Sequence, residues 1–209
     1  MVNPAPCGSW ASPITAESLV AGAAGLGEVV VDGGCVWWAE SRPGEGGRTV
    51  VVCDGIDALG ADANVRTLVH EYGGGAWWVC DGVLVHSEYD DQRLWRQDPD
   101  GTRTALTPDP DMARGFRFAD GRPTPDGRWY VCVREDHHRN GEPANEVVAV
   151  PLDGSQQVEV LVSGPDFVSS PRVSPDGRRL AWVQWDHPDL PWDDSELWVA
   201  GLDGGTVAG

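Results

Sequence analysis

The chain alternates short apolar runs with tight-turn signals, and one combination occurs twice. Thr124-Pro125-Asp126-Gly127-Arg128 precedes Trp129-Tyr130-Val131-Cys132-Val133, and Ser174-Pro175-Asp176-Gly177-Arg178 precedes Leu180-Ala181-Trp182-Val183. Asp126 and Asp176 stand 50 positions apart, as do Leu152-Asp153-Gly154 and Leu202-Asp203-Gly204. In these turns Pro presets φ, Asp bonds its own backbone and Gly takes the left-handed position. The runs are rich in Val, Trp, Tyr and Leu, which suit a pleated surface. A fixed period of this length marks a copied unit that buries its apolar face against its neighbours.

Further strands fall in phase with the repeat: Glu146-Val147-Val148-Ala149-Val150 and Glu196-Leu197-Trp198-Val199-Ala200. Weaker copies lie upstream, in Gln92 to Asp98 before Pro99-Asp100-Gly101, in Asp81 to Val85, in Glu28 to Gly33 and in Cys35 to Trp38. No long stretch sustains a 3.6-residue apolar period. One short helix is expected over Thr15 to Ala21, stopping at Gly22. The pattern predicts an all-β fold, a partial β-propeller of about four four-stranded blades over 26–65, 66–112, 113–163 and 164–209. The alternative is a β-sandwich with a chance internal echo.

Composition narrows the chemistry. The 209 residues are 41% hydrophobic with 11 Trp, enough for a sizeable core, and the 27 Gly and 16 Pro punctuate strands. A net charge of −18 argues against nucleic acid or an anionic membrane as partner. All 15 basic residues are Arg, which removes phosphate-binding loops and Schiff-base chemistry that need Lys. With no charged leader, apolar signal or 18-residue apolar run, the protein is expected to be soluble and cytoplasmic. The five Cys, at 7, 35, 53, 80 and 132, form no close pair. Cys35, Cys53, Cys80 and Cys132 sit inside or beside strand patterns and read as small buried hydrophobes. Metal or disulfide roles are not expected of the five, and no cofactor is expected.

No Gly-x-Ser-x-Gly elbow and no His-Glu-x-x-His occurs, so no catalytic residue is assigned. Four segments carry candidate binding chemistry. In Val69 to Trp78, three glycines inside a strand imply close backbone approach, with His70, Glu71 and Tyr72 turned toward a channel mouth. Arg134, Glu135 and Asp136 end a strand in a dense ionisable group before His137-His138. Trp185 to Asp194 forms a Pro-rich loop in which His187 and Trp192 are candidate contacts. His86 to Arg93 ends another strand and adds acidic and aromatic residues to the same rim.

Together these residues resemble a known family. The quoted set is Gly8 to Ala16, His70-Glu71-Tyr72-Gly73-Gly74-Gly75, Asp91 to Trp95, Val133 to His137, Trp185 to Pro188 and Pro191-Trp192-Asp193. It is similar to the N-terminal propeller of bacterial, actinobacterial-type prolyl oligopeptidase family serine peptidases of the dipeptidyl or acylaminoacyl peptidase-like branch. TolB-like propellers share the Ser-Pro-Asp-Gly repeats. The resemblance implies a roughly seven-bladed propeller that restricts entry to short peptides. It also implies an α/β-hydrolase domain, normally on the same chain, that carries Ser, Asp and His. That domain is expected to be absent from these 209 residues, so the chain alone is expected to be inactive. An incomplete ring leaves open blade edges, for which self-association is expected. The alternative is a stand-alone propeller-like protein-interaction module.

Overall fold

The computed structural model describes residues 6–9, 11–71, 74–139, 141–203 and 206–208. Tyr72 and Trp10 lie outside the described residues. The chain opens with one short helix, α1 (Ala16–Val20), capped by Thr15, whose side chain accepts the Ser18 N–H. The elements that follow it among the described residues are antiparallel strands, apart from one short 3-10 turn over Pro43–Glu45.

The strands form four sheets of four, each in simple sequence order. The first holds β1 (Gly25–Asp32), β2 (Cys35–Arg42), β3 (Arg48–Cys53) and β4 (Ile56–Asp57); the second β5 (Trp77–Cys80), β6 (Val83–Ser87), β7 (Leu94–Gln97) and β8 (Arg103–Ala105). The third holds β9 (Phe116–Pro123), β10 (Trp129–Asp136), β11 (Ala144–Pro151) and β12 (Glu159–Val162). The fourth holds β13 (Phe167–Val173), β14 (Arg179–Trp185), β15 (Glu196–Asp203) and β16 (Thr206–Ala208). This is a partial β-propeller, and each sheet is one blade. No helix among the described residues is long and apolar enough to cross a membrane.

The core lies between blades. Val51, Val65, Trp77 and Leu84 bury the seam of blades one and two. Val85, Leu94, Phe118, Tyr130 and Val148 fill that of two and three. Val133, Val147, Val168, Leu180 and Trp182 fill that of three and four. Blade three is therefore covered on both faces. This explains why β11 reads as the continuous run Val147-Val148-Ala149-Val150 instead of alternating. On blade one, Leu26, Val29 and Val31 stay open to solvent, as do Leu197 and Val199 on blade four.

First strands of successive blades lie beside one another, and three of them, β1, β9 and β13, bulge. In β9, Asp120-Gly121 stand opposite the single residue Cys132; in β13, Ser170-Pro171 stand opposite Trp182, 50 positions on. Glu28 makes a smaller bulge in β1. Glu28, Asp120 and Ser170 all take left-handed φ, at 38°, 57° and 52°. A bulge bends and twists its strand, which suits strands that converge on the ring axis.

Candidate functional site

Antiparallel order sends every second-to-third-strand loop and every blade-to-blade linker to the same end of the blades. Five of the residues singled out above, His70, Glu71, Glu135, His187 and Trp192, meet there around a cavity of about 360 Å³.

His70 and Glu71 sit on the linker between blades one and two. The sequence pattern places them in a strand with the three glycines, and the structure corrects this. Glu71 N–H donates to Leu68 O at 3.0 Å, and both His70 (φ 56°) and Glu71 (φ 63°) are left-handed. A strand cannot contain two such residues in succession, so β5 begins only at Trp77. Gly73 lies outside the described residues, but Gly74 and Gly75 do serve close approach. Gly75 O accepts the Asp120 backbone N–H at 2.8 Å, and the Asp120 carboxylate accepts the Gly75 N–H at 3.0 Å. A Cβ on Gly75 would lie 2.8 Å from Asp120 Oδ1.

Glu135 is the polar centre of the wall. It is 4% exposed, and its Oε1 accepts the His70 backbone N–H at 2.5 Å. Its Oε2 lies 2.9 Å from His137 Nε2 and 3.6 Å from Arg117 Nη1. Burial holds the His70 imidazole below its usual pKa range, against the opposing pull of Glu135. The His70 ring packs 5.8 Å from Phe167 and 5.5 Å from Trp185, which stack on each other at 5.2 Å. His187 packs 4.9 Å from Phe167.

Two further carboxylates line the mouth. Arg117 donates to Glu71 at 2.8 Å and lowers its pKa. His187 donates its backbone N–H to Asp166 at 2.9 Å, which lowers that one. Both carboxylates therefore stay ionised at neutral pH. Trp192, 74% exposed, forms the outer lip. Aromatic faces beside fixed carboxylates suit an ammonium group that carries an apolar substituent.

Arg134 and Asp136 do not reach the cavity. Side chains alternate along a strand, so they share the face opposite Glu135. Arg134 pairs with Glu146 across β10 and β11 and lies over the Phe116 ring. Asp136 accepts His138 Nδ1 at 2.7 Å. The structure thus brings His70, Glu71, Glu135, His187 and Trp192 together and leaves these two aside.

The His86 to Arg93 segment departs from the expected exposed rim. His86, Ser87 and Gln92 are fully buried and Glu88 is 9% exposed. The physical reason is the linker beside them. Glu88 accepts Asn64 N–H, Gln92 accepts Leu68 N–H and donates to Arg66 O, and so they hold residues 64–68 in place. Sequence reasoning missed Asp166, Phe167 and Asn145 in the site. Gly164-Pro165-Asp166 reads as turn chemistry alone, which hides the aromatic that follows. A second cleft of similar volume lies at the other end, between the Pro125 and Pro175 turns, where Asp126 is already bonded to Arg128.

No family model and no curated protein matches the chain. Solved structures do. A puromycin-hydrolysing peptidase of Mycobacterium tuberculosis is 40% identical over 97% of this chain, with TM-score 0.86. A puromycin hydrolase is 36% identical over 100%, with TM-score 0.88, and a serine-to-alanine mutant of such a hydrolase complexed with PGG superposes at TM-score 0.87. This chain spans about a third of their length, 34% and 35% for the first two. A TolB-type protein of Agrobacterium tumefaciens, 21% identical over 82% of the chain with TM-score 0.50, shares the fold. The four blades and their linkers are thus the counterpart of the N-terminal propeller of the puromycin-hydrolysing peptidases, and the chain belongs to the prolyl oligopeptidase family.

Proposed function

We propose that this chain is the substrate-gating propeller portion of a serine peptidase that acts on short peptides or aminoacyl compounds. The observation that carries the reading is the wall built from Glu135, His70, Phe167 and Trp185, with Asp166 and Glu71 at its mouth. It offers negative charge and aromatic faces to a substrate's free amino terminus, while bond cleavage belongs to an α/β-hydrolase domain. The likeness to puromycin-hydrolysing peptidases supports this division. On this reading the open apolar faces of blades one and four receive flanking blades.

Tryptophan fluorescence tests the reading, since Trp185 and Trp192 line the cavity. A short peptide amide with a free amino terminus binds at least about tenfold more tightly than its N-acetylated form, a difference of about 1.4 kcal/mol. Equal affinity of the two forms sinks the proposal. The 209 residues alone turn over no chromogenic aminoacyl substrate; turnover blocked by a fluorophosphonate would overturn the assignment of cleavage elsewhere. The second reading, a stand-alone interaction module, draws on the exposed Leu26, Val29, Val31, Leu197 and Val199. A discrete dimer in light scattering favours that module, whereas polydisperse association favours a segment of a larger ring.

A further inference from the structure

We propose that the opposite end of blade one carries a metal site for a borderline-soft divalent cation of the zinc class. Its ligands are Cys35 Sγ, Cys53 Sγ and a carboxylate oxygen of Asp54. These donor atoms all lie within 4.8 Å of one another. The pairing is not legible in the linear chain, because the two cysteines are separated by 17 residues and form no Cys-x-x-Cys motif.

Two hairpin turns create the convergence. Cys35 opens β2 just after the Asp32-Gly33-Gly34 turn, and Cys53 closes β3 just before the Asp54-Gly55 turn. Trp37 pairs with Cys53, and one step further Asp54 faces Val36. Asp54 N–H donates to Val36 O at 2.9 Å, and Val36 N–H donates to Asp54 Oδ1 at 2.9 Å. These two bonds fix the carboxylate beside both thiols before any ion arrives. Asp54 holds a left-handed φ of 47° in its turn.

The geometry fits a tetrahedral ion. Zinc binds sulfur at about 2.3 Å and carboxylate oxygen at about 2.0–2.2 Å, so ligands on one ion sit roughly 3.5–3.8 Å apart. Donors within 4.8 Å of one another stand within about 1.3 Å of that spacing. Two thiolates and one carboxylate suit zinc rather than magnesium or calcium, which require a mainly oxygen shell. The thiols are half-buried and Asp54 is exposed, which leaves the fourth position facing water. Cys35 and Cys53 stand beside two different hairpin turns, so the ion acts as a staple between two hairpin tips.

Cobalt titration of the reduced protein tests the site. One equivalent of Co²⁺ produces a thiolate-to-cobalt charge-transfer band, and Zn²⁺ displaces it. Cys35→Ser and Cys53→Ser abolish the band, whereas Cys80→Ser, at the exposed neighbouring hairpin, retains it. Asp54→Asn keeps both thiols and weakens Co²⁺ binding at least about tenfold, which keeps the test decisive if a cysteine variant does not fold. Circular dichroism checks that each variant keeps its sheets. No band at stoichiometric cobalt, a band that survives Cys35→Ser, or a Cys35–Cys53 disulfide in place of bound metal overturns the proposal.

Discussion

The Glu135 carboxylate accepts the backbone N–H of His70, a residue 65 positions earlier in the chain. One buried acid on β10 thus holds the linker that leaves blade one, and it does so inside the candidate cavity. Removing it should loosen both. Glu135→Ala takes the acceptor from His70 N–H and the counter-charge from Arg117, and is expected to lower stability by about 2–4 kcal/mol. Glu135→Gln, whose amide oxygen still accepts, should lose less. Urea midpoints compare the two.

Trp185 and Trp192 line the same cavity but differ in burial, 6% against 74% exposed. Trp192→Ala is expected to change stability by no more than about 0.5 kcal/mol and still weaken binding of a peptide amine. Trp185→Ala also opens the stack with Phe167 and should cost about 3 kcal/mol. Thermal unfolding and fluorescence titration of both variants separate the two effects.

Gly121 lies against the buried Tyr130 ring. A Cβ there would fall 1.9 Å from Tyr130 Cε1, closer than any side-chain adjustment tolerates. Gly121→Ala is expected to lose about 3 kcal/mol or more, or to leave the chain unfolded. Pairing it with Tyr130→Ala should make the two losses strongly non-additive in a double-mutant cycle.

His86 gives the fold an acid limit. It is fully buried, and desolvation, with a smaller push from Arg103, depresses its pKa to about 3. Between about 3 and the ordinary 6.5 the unfolded chain binds a proton that the folded chain refuses. Its contribution is therefore intact above pH 6.5 and is lost as pH falls, by on the order of 4 kcal/mol at the bottom of that window. His86→Leu should flatten the pH dependence of the unfolding midpoint over this range.

His138 shifts the other way. Its Nδ1 lies 2.7 Å from Asp136 and its Nε2 2.8 Å from Asp111, and the Asp136 bond leads in raising its pKa. The stabilisation from this raised pKa is fully present below the unfolded pKa near 6.5 and is lost as pH rises through the folded value. NMR titration of Asp111→Asn should show the His138 pKa falling toward its ordinary value.

Much of the frame was legible because turn chemistry and β-propensity are local. The Thr-Pro-Asp-Gly and Ser-Pro-Asp-Gly turns precede β10 and β14, and the runs from Glu146 and Glu196 lie in β11 and β15. The expected short helix is α1 with its Thr15 cap. First strands were harder to read. Asp120-Gly121 in β9 and Ser170-Pro171 in β13 resemble loop, since a bulge breaks the alternation on which strand recognition rests.

The candidate site divides the same way. Glu135 and His187 stand out as ionisable residues at strand ends, yet Arg134 and Asp136 look equally promising until the pleat sends them to the other face. The linear chain by itself determined the repeat, the turns, the absence of Lys and the acidic balance, because each is a property of neighbours in sequence. Only the tertiary structure decided which loops share an end, that Phe167 stacks on Trp185 beneath His70, and that Cys35 meets Cys53. Those relations join residues from different strands or blades, and strand pairing and blade stacking set them, not local preference.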